Sequence, residues 1–235
     1  MKLRFKHRVS KEDLKEDRFQ ETVERVAEWY YRDPKKFWIG AAAVVVMIVG
    51  VILLLQNRPK TVSVEAELRL TDALVSLAQG DMQRAEQGFS ELTTLFGRDY
   101  AGIKAHYYLG HIYYMAQPPR HEEAKRAFAK FLSKAKDDPV LSPAAQVGIG
   151  NCEEQLGNSL KAAAAYEAAY RKWPKSALAF DAMMAAGRAY RNAGALAKAE
   201  KVYQELLDRK EKPTGQQMEE IRMQLAHVQA LKNRL

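Results

Sequence analysis

The sequence predicts an all-α protein: an N-terminal amphipathic helix, one membrane-crossing helix, then a solenoid of about four helix pairs closed by a single helix. Three observations carry this. A 19-residue block, Phe37 to Leu55, contains no charged side chain. Beyond residue 63, short helical patterns alternate with Gly- or Pro-containing turns and no alternating strand pattern occurs. An Ala-x3-aromatic motif recurs at Ala85/Phe89, Ala124/Phe128, Ala162/Tyr166 and Ala199/Tyr203.

Residues 1–36 form a basic leader with 11 Lys or Arg among them. Ser10 with Asp13 three residues on is an N-cap with acid at N3, opening a helix to about Tyr31. Leu14, Phe19, Val23, Val26 and Tyr30 fall near one face of it. That face suits either the cytoplasmic leaflet or a partner protein.

Asp33-Pro34 then starts the next helix, with Asp as N-cap and Pro at the first helical position. Nineteen helical residues reach roughly 28 Å, close to the hydrocarbon thickness of a bilayer. Trp29, Tyr30, Tyr31 and Trp38 sit at its start, at headgroup level. Gln56-Asn57-Arg58-Pro59 is no small-residue cleavage site, so residues 37–55 read as an uncleaved anchor. Arg32, Lys35 and Lys36 abut the block, which places the N-terminus in the cytoplasm and the C-terminal domain outside it. Gly40 and Gly50 lack the spacing of a helix-dimerising pair. Residues 56–63 are the linker.

In residues 64–213 the aromatic motifs follow one another at offsets of 39, 38 and 37 residues. Leu109-Gly110-x2-Tyr113, Ile149-Gly150-x2-Glu153 and Ala186-Gly187-x2-Tyr190 precede them, with turn glycines Gly80, Gly157 and Gly194 between. Gly and Ala are required where two backbones cross closely, and the aromatic fills the space beside them. These residues resemble the tetratricopeptide repeat (TPR) signature, which implies a right-handed α-solenoid of paired helices. The first repeat lacks the Leu-Gly pair, and the second has a longer turn, Gln117 to Arg120. Residues 214–235 have no partner helix and read as a cap, as solenoids require at their ends.

The order of basic leader, single anchor and exported TPR domain resembles the YfgM-type ancillary subunits of the bacterial Sec translocon, as does the leader stretch Lys11 to Asp17. The resemblance implies a single-pass protein of the bacterial inner membrane with a periplasmic TPR domain. It further implies association with the translocon and with a membrane-anchored periplasmic chaperone. The alternative is a structural scaffold in another envelope or large membrane complex.

Motifs for chemistry are missing. Gly148-Ile149-Gly150-Asn151 lies inside a helical pattern with no preceding strand, unlike a dinucleotide loop. Gly157 to Lys161 lacks phosphate-loop spacing, and Cys152 has no histidine near it in sequence. No catalytic residue, cofactor or metal site is expected, and no small-molecule substrate. After residue 55 the 26 basic and 21 acidic residues are interspersed, unlike a nucleic-acid surface. What the repeats do supply is a concave face lined by the first helix of each pair. The glycine register directs Lys104, Tyr107, His111 and Tyr114 there from the second repeat, Asn151 and Glu154 from the third, and Arg188 and Arg191 from the fourth. Their expected partner is protein: aromatic rings give contact area, and Arg forks pair with carboxylates.

Overall fold

A computed structural model describes residues 30–56, 63–135, 138–209 and 214–234. Of the expected leader helix only its end, Tyr30 and Tyr31, is described, and it is helical; residues 10–29 and most of the linker lie outside the described residues. The chain divides into two compact units, 1–59 and 60–235.

In the first unit, helix α1 spans Pro34–Gln56. It begins where the Asp-Pro pair directs, with the Phe37 amide donating to the Asp33 carbonyl at 3.1 Å. Trp38, Ile39 and the run Val44–Val49 leave large apolar side chains exposed. Counted on the described residues alone, no helix is long and apolar enough to cross a membrane. The side chains of 52–55, the far end of the expected anchor, lie outside those residues.

In the second unit, all described regular elements are helices: α2 (Val64–Ala78), α3 (Met82–Leu95), α4 (Tyr100–Met115), α5 (His121–Lys134), α6 (Leu141–Gln155), α7 (Ser159–Lys172), α8 (Ala179–Asn192), α9 (Leu196–Leu207) and α10 (Gly215–Lys232). Even-numbered helices from α2 to α8 open a pair and odd-numbered ones close it. Each opening helix touches the next opening helix, and α8 touches α10. The closing helices α3, α5, α7 and α9 stand farther apart, and Arg171 of α7 reaches Glu205 of α9 only through its long side chain, at 3.8 Å. The opening helices therefore line the inner face of a solenoid and the closing helices its outside.

Within each pair the ring of the closing helix lies against a glycine of the opening helix. A Cβ on Gly150 would stand 2.4 Å from the Tyr166 ring, and one on Gly187 would stand 2.5 Å from the Tyr203 ring. Phe128 is gripped from both sides, by Gly110 of its own pair and Gly148 of the next, each at 2.7 Å. The first pair inverts the arrangement: its opening helix carries Ala73, and Gly88 on the closing helix yields the space, its Cβ position being 3.0 Å from Ala73 Cβ. That inversion is why the Leu-Gly signature is absent there.

The turns follow from backbone chemistry. Gly80, Gly157 and Gly194 have φ of +81, +78 and +72°, which L-residues with a Cβ rarely adopt. The second pair has no such glycine. Its longer turn is held instead by Arg120, whose guanidinium donates to both carboxylate oxygens of Glu86 (2.9 and 2.6 Å) and lies 4.3 Å from the Tyr113 ring centroid. Helix α10 starts with a capping box between Thr214 and Gln217, and it seats Ile221 and Val228 against Tyr203 and Leu206, all fully buried.

Two predictions arise from this packing. Tyr203 is fully buried, so its ring has no room to retreat. Replacing Gly187 by Ala should cost about 1–3 kcal/mol, and by Leu more. Thermal melting of the two variants checks it, and an unchanged melt would mean that the crossing is looser than described. The second concerns His106 on α4, whose Nε2 is buried without a hydrogen-bond partner. Burial first, then Lys134 and Lys130 of α5, lower its pKa from 6.5 to about 4. The unfolded chain therefore takes up this proton first as the pH falls. Stability is fully present above pH 6.5 and declines toward pH 4, by about 2–3 kcal/mol. In His106→Gln this slope should flatten, as read by denaturant titration at each pH; an unchanged slope would assign it to another group.

Candidate functional site

Among the described residues, a cleft of about 250 Å³ lies on the inner face between the second and third pairs. Helix α4 contributes Tyr107, His111, Tyr114 and Met115, and α6 contributes Ala144, Val147, Gly148 and Asn151. Phe128 of α5 forms part of its wall, with Leu178 before α8. The helical period explains the α4 set, because 107, 111 and 114 lie on one face.

The eight residues directed to this face by the sequence fall into two groups. Tyr107, His111, Tyr114 and Asn151 line the cleft together. Lys104, Glu154, Arg188 and Arg191 do not; they form polar rungs between consecutive inner helices. Lys104 Nζ is 3.5 Å from Glu67 of α2 and lies over the Tyr100 ring. Arg188 of α8 is 3.6 Å from Glu154 of α6. Arg191 donates to Gln224 Oε1 of α10 at 2.6 Å. These charges already have protein partners, so a carboxylate ligand at either arginine competes with Glu154 or Gln224.

The cleft residues differ in how firmly they are held. Tyr107 packs against Phe128 and Phe131 at centroid distances of 5.8 Å, and its ring is half-buried in the core. Tyr114 lies 5.3 Å from the His121 ring. Burial raises the pKa of both phenols, keeping them neutral donors at physiological pH. His111 and Met115 are exposed on the α4 rim. On the far wall, the Tyr166 hydroxyl lies 2.7 Å from Asn151 Oδ1 and 2.9 Å from Glu154 Oε2, and its single hydrogen serves one at a time. Burial and the neighbouring Glu154 carboxylate hold this phenol far above its usual range. With Oδ1 turned to Tyr166, the Asn151 amide NH2 is left as a donor toward the cleft.

Chemically the cleft offers apolar walls, a thioether, an imidazole and an amide. It offers no nucleophile beside a base. Cys152, on the helix that forms its wall, is fully buried, and burial pushes its thiol up to about 11. No group of three His, Cys, Asp or Glu side chains able to hold a metal occurs among the described residues. The sequence pattern did not point to Met115, Val147 or Leu178. The signal for Gly148 was present in its glycine, which has the space-making role of Gly110 on the opposite side of Phe128.

No curated protein matches the chain. Among solved structures, nearly identical TPR-like repeats from a Podosopora anserina protein described as a kinesin light chain are 15% identical, with a TM-score of 0.49. They cover 73% of this chain and 98% of their own, a likeness too distant to carry functional meaning. The tetratricopeptide repeat family model matches residues 119–177 and 162–215, from the closing helix of the second pair to the end of the fourth. The chain carries tetratricopeptide repeats, and its helical unit is a TPR-like α-solenoid.

Proposed function

We propose that this chain is a membrane-anchored, non-enzymatic interaction protein. In this reading its TPR unit stands outside the cytoplasm and binds proteins at or near the Sec translocon of the bacterial inner membrane. The observation that carries the binding function is the cleft between α4 and α6, where an apolar floor meets the donors His111 and Asn151. TPR arrays are protein-interaction scaffolds whose concave surfaces serve this purpose. Apolar clefts with a few convergent polar groups are the usual form of a binding site.

The anchor rests on the sequence of α1, which is apolar on every side from Phe37 onward; such a helix belongs in a core or in lipid. The orientation rests on the basic leader, and the translocon on the architectural resemblance of leader, anchor and repeats. A structural scaffold in another envelope complex is the second reading. It is favoured by the polar rungs, which occupy the charged part of the inner face with internal contacts. Copurification in mild detergent separates the two: translocon and chaperone subunits support the first, an assembly of fixed stoichiometry the second.

Two further outcomes are expected. Protease added to intact spheroplasts should digest the TPR unit and leave a membrane-embedded N-terminal fragment. Protection until lysis would place the unit in the cytoplasm. In the cleft, His111→Glu with Met115→Glu adds charge at two exposed positions, where surface substitutions usually cost under about 0.5 kcal/mol each. Partner recovery should fall at least tenfold with melting unchanged. Full recovery by the folded variant would move the binding site off this cleft.

A further inference from the structure

The repeat register exposes a surface at the first helix pair that every later pair buries. Ala73 of α2 corresponds to Gly110 of α4, which corresponds to Gly150 of α6 and Gly187 of α8, at steps of 37, 40 and 37 residues. By the same steps, Leu68 corresponds to Ala105, Ala145 and Ala182, which are 0, 0 and 1% exposed. Val75 corresponds to Ile112, Cys152 and Ala189, at 3, 0 and 1%. These later residues stack each pair on the one before; Ala105 and Ile112 pack with Leu70, Phe89 and Leu92. In α2 the same positions are open, with Leu68 at 62% and Val75 at 47% exposed. Val64 at 77% and exposed Thr71 complete an i, i+4, i+7, i+11 stripe. Beside it lies a groove of about 470 Å³ between α2 and α3.

We propose that this stripe and groove are the contact surface for a second copy of the chain, paired about a two-fold axis. Three features select that occupant. Leu68 is larger than the Ala that stands at its position in all three later pairs, so the stripe does not match the flush stacking of another repeat of this kind. A head-to-tail contact between copies would need the open far side of the last pair, but α10 covers it, with Ile221 and Val228 buried against Tyr203 and Leu206. The outer side of α10 is mostly polar, with Glu219, Glu220 and Arg222 exposed. Between copies this leaves the contact of like with like, which closes after two chains. The groove's charges also balance: Arg69 and Arg84 stand with Asp72 and Glu91, and Arg69 lies 3.9 Å from Glu91 within the chain. A face without net charge meets its own copy without repulsion, whereas it gives a strongly acidic or basic partner no advantage. The inference depends on neither the cleft nor the anchor.

The test is the mass of the full-length chain in detergent micelles at micromolar concentration, by size exclusion with light scattering. Wild type should give the protein mass of two chains. Leu68→Glu with Val75→Glu sets like charges across the axis and should give one chain, with helix content and melting unchanged. Leu68→Ser with Val75→Ser, which removes apolar area without adding charge, should weaken the dimer in the same direction. A single-chain wild type overturns the proposal. So does a dimer that persists in the Glu variant, because another surface, α1 included, would then hold it. A different protein that copurifies with a monomeric wild type and is lost from the Glu variant overturns it as well, by naming a different occupant.

Discussion

The contact between one aromatic ring and one missing side chain sets the geometry of this molecule. Tyr166 on Gly150, Tyr203 on Gly187 and Phe128 between Gly110 and Gly148 each let two helices approach more closely than any Cβ allows. The spacing within a pair, the height of each repeat and the positions of the inner helices all follow from that approach. Interiors packed at crystal-like density transmit such a constraint, so a ring that cannot shift fixes its neighbours too. The cleft is one result: Phe128 is both the spacer of the second pair and part of the cleft wall.

Above this apolar scaffold lies a polar layer of different character. Lys104–Glu67, Arg188–Glu154 and Arg191–Gln224 join successive inner helices along the concave side. On the outer side, Lys125–Glu153 and Lys232–Glu200 join closing helices to the helices that follow. The more exposed of these pairs contribute little stability each, whereas the Glu153 carboxylate is buried and depends on Lys125 and Asn158. Their effect is on register: each fixes how far one helix slides along the next, and so how wide the cleft stands.

The scaffold was legible in the sequence because steric demands leave few choices. Only Gly, or Ala at a slightly larger spacing, fits under a ring, and only Gly adopts φ near +80° at the turns without strain. The first pair is harder to read because the smallest residue stands on the partner helix, at Gly88 instead of at Ala73, outside the Leu-Gly motif of a single helix. The polar residues on the inner face were placed on the right helices, but their engagement was not visible. Arg191 meets Gln224 on a helix outside the repeat, so no periodicity predicts the pair. The longer second turn stretches the step between Gly110 and Gly150 to 40 residues, and with it which α6 residues oppose Tyr107 and His111.

A chain in which each pair touches only its neighbours behaves as a spring rather than as a block. Tension applied between α2 and α10 is carried in series through every interface, so extension is shared among the joints and largest at the softest. The joint at α10 seats Ile221 and Val228 against the enclosed Tyr203 ring and adds the Arg191, Gln229 and Lys232 contacts, and the joints around Phe128 and Tyr166 carry enclosed rings as well. Stretching is therefore resisted by an enclosed ring at each of these joints, and the cleft between α4 and α6 widens only as far as the ring of Phe128 in its wall allows.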